Sequence, residues 1–224
     1  MKLVCTGVLI GSVLTLATAC GSAGGASSAT PETPVIQIPA DPGVLDPQTS
    51  PGSWGRPMMR FAYDTLVADG KDGVVPQLAE SWDVTPTKAT FTIRSGVTCA
   101  NGEAMDAKAV AANFERLKDP AAKVPFTASF LGSTDYKVSY DESAETVTLD
   151  LPQPFSPLLS NLATYPPMIC PEGLKNPSEL NTKSFGSGPY VLTAAKPGQS
   201  YTFDRRDDYT WGPTGRLRRS CRSR

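Results

Sequence analysis

Glycine and proline set the grain of this chain, with 19 Gly and 21 Pro among 224 residues. Proline removes a backbone donor and glycine carries no side-chain preference, so punctuation this dense disfavours long helices and favours short elements joined by turns. The length suits one large domain or two small ones, and 40% hydrophobic residues can fill a core. Histidine is absent. That excludes a Ser-His-Asp or Cys-His triad, histidine-ligated zinc and the usual near-neutral general base.

The formal charge of −1 is a cancellation. Residues 216–224 read RLRRSCRSR, with five arginines and no acid. Setting those and Lys2 aside leaves 15 basic residues against 22 acidic ones, a body of about −7. Such a body does not suit nucleic acid as its main partner.

The N-terminus reads as an address. Lys2 supplies a positive charge, Leu3 to Leu16 is apolar and uncharged, and Ala17-Thr18-Ala19-Cys20 closes the run with small residues. This is the n-region, h-region and small-residue ending of a secretory signal over 1–19, too short to span a bilayer comfortably. The alternative, a buried N-terminal helix, would find nothing to pack on in the residues that follow. Ala17-Thr18-Ala19-Cys20 resembles the lipobox of bacterial lipoproteins, which implies an acylated Cys20 as the new N-terminus and an anchor on the outer face of the membrane. Residues 20–34, rich in Gly, Ser and Pro, read as a flexible tether.

Of five cysteines, Cys5 goes with the signal, Cys20 is the acylation site and Cys221 lies in the arginine-rich tail. Cys99 and Cys170 remain, in an oxidising compartment that favours a bridge between them, with two separate buried thiols as the alternative.

Along the body, Val35 to Ile38 alternates as a strand, and Asp41 to Pro47 is a turn. Phe61, Tyr63, Leu66 and Val67 suggest a helix over Arg60 to Val67, before a turn at Ala68-Asp69-Gly70. Ala89 to Arg94 alternates cleanly. Asp106 caps an expected helix from Ala107 to Leu117, with Val110, Phe114 and Leu117 on one face and Pro120 beyond its end. Lys137 to Tyr140 and Glu145 to Leu151 read as a hairpin, Phe155 to Ala163 as a short helix, and Tyr190 to Thr193 and Tyr201 to Arg205 as strands. This mixture, without strict βαβ alternation, gives an α/β or mixed α+β body.

Catalytic patterns are poor: no nucleophile elbow, phosphate loop or CxxC follows a strand. Gly186-Ser187-Gly188-Pro189 lacks the donor and the Lys-Ser/Thr of a phosphate cradle. The acidic pairs Asp207-Asp208 and Asp141-Glu142 lie beside turns, where solvated carboxylates are usual, and Arg205-Arg206 is placed to pair with the former. No catalytic residue, metal site or cofactor is expected.

Four stretches in order resemble the extracellular solute-binding proteins of ABC importers, the family-5 or peptide/nickel type. They are Leu45-Asp46-Pro47 with Tyr63-Asp64-Thr65-Leu66; Val75 to Trp82 (VPQLAESW); Phe91 to Val97 followed by Asn101-Gly102-Glu103 and the helix after it; and Gly186 to Leu192 (GSGPYVL) with Asp208-Tyr209-Thr210-Trp211. The resemblance covers 35–213. It implies the N-terminal half of a class II two-lobe binding fold: a discontinuous first lobe of 35–59 and 183–213, an inserted smaller domain of 60–182, and an atypical tail at 214–224. It further implies a monomer that captures a peptide or similar small solute in a closing cleft and presents it to a permease driven by a separate ATPase. Ser53 and Trp54 fall where the family's cleft-facing loop meets ligand; a lid over the core is the plainer role for an aromatic in a Gly/Pro loop. Relatives are more than twice as long, so a truncated or frameshifted chain is expected, with a membrane-binding basic tail as the alternative. A fragment that binds nothing, or an exported carboxylate-dependent hydrolase, are the competing functions.

Overall fold

The computed structural model describes residues 35–50 and 54–212, and the backbone of 221–223. One antiparallel sheet is built from β4 (Ala79–Val84), β5 (Lys88–Ile93), β6 (Lys137–Asp141) and β7 (Thr146–Asp150), in the order β4-β5-β7-β6. Its register sets Ala89 opposite Leu149 and Phe91 opposite Val147, all fully buried. On the other face the Thr90 and Thr148 hydroxyls meet at 3.0 Å. Two-residue alternation thus separates a core face from a wetter one.

Helix α2 (Ala107–Lys118) packs on β6 and β7 through Val110, Phe114 and Leu117. The Asp106 carboxylate accepts from the Ala109 amide at 2.8 Å, the expected cap, and Asp119 leaves the helix extended before Pro120. A second sheet pairs β8 (Tyr190–Lys196) with β9 (Ser200–Arg205). Beyond β9 lie β10 (Cys221–Ser223) and, parallel to it, β1 (Val35–Ile36). Both sheets contribute to one continuous core, in which Phe61 packs edge-on against Tyr190 and at 5.7 Å from Phe203.

Residues 60–67 differ from expectation. The helix lies earlier, as α1 (Gly55–Met59), and the chain runs without helix from Tyr63 to β2 (Val67–Gly70). The cause is where the carbonyls go. Those of Phe61, Ala62, Asp64, Thr65 and Leu66 accept from the amides of Tyr190, Gly188, Met168, Leu78 and Ala79. Tertiary partners replace the intrahelical ladder. The expected turn at Ala68-Asp69-Gly70 is likewise strand; the chain reverses at Lys71-Asp72, and β3 (Gly73–Pro76) begins at a glycine with φ +129°. The helix expected at Phe155 to Ala163 shortens to α4 (Leu158–Leu162). Two further short helices, α3 (Thr127–Leu131) and α5 (Pro171–Lys175), have no strong sequence signal.

Candidate functional site

Three of the quoted segments, VPQLAESW, GSGPYVL and Asp208 to Trp211, meet at Asp64. Its side chain is fully buried and accepts from Ser187 Oγ at 3.1 Å, Tyr209 Oη at 2.9 Å, Trp211 Nε1 at 3.0 Å and Gln77 Nε2. Burying a carboxylate is costly unless donors surround it, and these four come from three separate motifs. Close backbone packing brings Ser187 there. A Cβ on Gly186 would stand 2.1 Å from the Ala62 carbonyl oxygen, and one on Gly188 2.5 Å from the Ala62 carbonyl carbon. The glycines of GSGP therefore serve close approach and not phosphate binding.

A second network holds the opening loop. Arg116 of α2 pairs with Asp46 at 2.5 Å and donates to Gln48 Oε1 at 2.6 Å. Gln48 Nε2 donates to Asn113 Oδ1 at 2.8 Å, while the Tyr165 hydroxyl donates to the Gln48 carbonyl at 3.0 Å. An open groove of about 890 Å³ runs beside this network, lined by Val44, Thr49, Ala112, Glu115 and Leu174 among others.

The two cysteines of the body are joined: Cys99 and Cys170 form a disulfide with Cα atoms 6.1 Å apart, both side chains buried. It ties the 98–104 turn to the start of α5, on either side of Gly186. The Gly186 carbonyl accepts from the Ala100 amide, and Gly186 bridges Ile169.

Cys20 and Ser53 lie outside the described residues. Trp54 is at the N-cap of α1 and 41% exposed. Arg56, two residues on, sets its guanidinium over the rings of Phe126 at 5.2 Å and Phe130 at 5.8 Å. Phe130 stacks on buried Tyr165 with centroids 4.5 Å apart. Sequence reasoning missed this shelf. Its only local sign is an aromatic pair, Phe126 and Phe130, at helical spacing in a segment that lacks a clear apolar stripe.

At least one carboxylate of each acidic pair has a structural partner. Asp208 pairs with Arg206 at 2.6 Å, and that hydrogen bond holds its carboxyl below the usual range. Asp141 closes its hairpin turn by accepting from the Ser143 and Ala144 amides. Among the described residues, no group of three or more His, Cys, Asp or Glu side chains could hold a metal ion. Nor is any helix among them long and apolar enough to cross a membrane.

Residues 73–219 match the profile of the bacterial extracellular solute-binding proteins, family 5, middle region. The match runs past Gly215 into the arginine-rich segment. The nickel-binding periplasmic protein of Escherichia coli is 32% identical over 159 residues, which are 68% of this chain and 30% of that protein. A probable peptide ABC transporter periplasmic-binding protein of Sinorhizobium fredii is 32% identical over 74% of this chain and 32% of its own length. Among solved structures, a substrate-binding protein from Microbacterium hydrocarbonoxydans, complexed with 4-hydroxybenzoate hydrazide, superposes with a TM-score of 0.77 at 32% identity; the match covers 85% of this chain and 42% of that one. DppA of Helicobacter pylori, in complex with the peptide STSA, gives 0.73 at 25% identity, over 86% and 42%. The chain thus spans about a third of the length of the curated relatives it matches. Its mixed α/β body is part of the two-lobe binding-protein fold, and the motifs that meet at Asp64 lie largely within the matched region: the chain belongs to the bacterial extracellular solute-binding proteins of family 5.

Proposed function

We propose that this chain captures peptides or similar small solutes outside the cytoplasm and passes them, unaltered, to an ABC permease and its ATPase. The observation that carries the reading is the family match over residues 73–219, and relatives named for peptide and nickel binding support it. Ser53 and Trp54 are the proposed ligand contacts. An exposed indole at the mouth of a rigid helix offers a flat apolar wall of the kind solute sites use, and the Arg56 shelf extends it. In this reading residues 35–59 and 183–213 form the first lobe, 60–182 the inserted domain, and the described residues supply one wall of the cleft. The exported chain is monomeric, acylated at Cys20 and held outside the membrane, with Cys99 and Cys170 oxidised.

A thermal-shift screen of the full chain against a peptide library tests the binding role. Saturable rises in Tm for a subset of peptides are expected, because a ligand that binds only the folded state stabilises it. A folded chain that responds to no member would overturn it. The intact mass of the membrane-extracted chain reads the anchor: the expected product starts at Cys20 and carries acyl chains.

A further inference from the structure

Among the described residues, the half-buried arginines Arg94 and Arg116 are committed to hydrogen-bonding partners, as are exposed Arg60 and buried Arg206, whereas half-buried Arg56 rests on aromatic rings. Arg60 donates to the Ala163 carbonyl, Arg94 to the Gln77 carbonyl and Arg116 to Asp46. Buried Arg206 holds Asp208. Arg56 is half-buried, yet among the described residues no carboxylate lies within ion-pair distance of it. What holds it is the pair of rings beneath, Phe126 and Phe130. A guanidinium lying over aromatic faces keeps its N–H groups in the plane of the fork and free for another acceptor.

The support is rigid. Phe130 is backed by Tyr165, and its carbonyl accepts from Asn161 Nδ2 at 2.9 Å. The Thr127 hydroxyl at the start of α3 donates to the Leu117 carbonyl at 2.9 Å, and Leu131 at its end is fully buried. On the other side Met58 and Met59 fix α1 in the core, and Gly55 is pressed against Ser50. A cation held in one orientation by packed neighbours loses little freedom when a planar anion arrives. The body that carries it is acidic, so a positive group here stands against the net charge of the chain.

We propose that Arg56 is a specificity-determining residue that donates two parallel hydrogen bonds to the carboxylate of the solute, and so selects carboxylate-bearing organic solutes over their neutral analogues. The proposal rests on the reading of the Trp54 face as ligand wall. Arg56 supplies direction and charge, Phe126 and Phe130 hold it flat, and the indole offers apolar surface at the entry of the same helix.

The test is an NMR titration of the full chain, labelled with nitrogen-15, using benzoate and its neutral isostere benzamide as probes. Benzoate is expected to shift the Arg56 Nε–H resonance saturably in the millimolar range, and benzamide to act at least about ten-fold more weakly, the margin a charge-assisted pair gives over a neutral contact. Arg56→Gln should abolish the difference between the probes, and Arg56→Lys should retain only part of it, because an ammonium cannot make the fork. An unchanged dispersion of amide resonances reports that either variant has folded. Equal responses to the two probes, an unmoved Arg56 signal with benzoate, or full benzoate selectivity in Arg56→Gln would each overturn the assignment. If both probes move the Trp54 indole resonance equally while Arg56 stays still, the ligand wall survives and the role of Arg56 falls. If neither probe nor any library peptide moves either signal, both readings fall.

Discussion

At Asp64, four side chains separated by up to 147 residues in sequence converge on one buried carboxylate. Replacing one of its oxygens by an amide keeps the shape but turns an acceptor into a donor facing donors. Asp64→Asn is therefore expected to lower unfolding free energy by about 3 kcal/mol, seen as a fall in the urea midpoint at unchanged slope. A loss under about 1 kcal/mol would mean that water can replace the carboxylate, and that the network is not closed. The sequence hints at this residue: Asp64 is a lone acid among Phe61, Ala62, Tyr63, Leu66 and Val67, a setting in which a charge is either exposed or fully satisfied. Its partners carry no such sign, because nothing local to Ser187 or Trp211 announces a carboxylate far back in the chain.

Among the elements, those ruled by local periodicity were legible. Helix α2 has its cap, apolar face and proline stop in consecutive residues, and β5 and β7 alternate without interruption. The stretch over 60–67 misleads because its carbonyls are used by other segments, which no window of residues reveals. The shelf under Arg56 depends on rings some seventy residues away in α3 and its flank. The disulfide joins elements in the same non-local way, across a sequence separation of 71. Replacing Cys99 and Cys170 together by alanine should cost about 4 kcal/mol by releasing that loop in the unfolded chain. Chemical denaturation of the double variant against the oxidised parent measures it. A loss indistinguishable from that of the parent kept in reductant is expected; equal stability of oxidised and reduced parent would contradict it.

For the molecule as a whole, buried tyrosines set the alkaline limit. Burial first, then the hydrogen bond to Asp41, pushes the Tyr201 hydroxyl from 10.0 up to about 12. Burial also raises Tyr63, Tyr136 and Tyr165 well above their ordinary value. Below pH 10 the folded and unfolded chains both keep these protons, and the stabilisation is complete. Above it the unfolded chain ionises first, so stability falls as pH rises toward the folded values. Urea midpoints are expected to decline steeply from about pH 10 to 12, together with a rise in tyrosinate absorbance on unfolding. Tyr201→Phe should make the decline shallower; an identical slope would exclude Tyr201 as a contributor.

The Asp64 network also sets a clock. A chain made from its N-terminus presents Asp64 long before Trp211, its most distant donor, exists. Until then the carboxylate cannot be buried without leaving bonds unmade, and the core around Tyr63 and Leu66 has reason to stay open. Closure waits on contacts of high sequence separation, which are slow to form. The carboxylate that stabilises the finished fold thus gains its last donor only once Trp211 has been made.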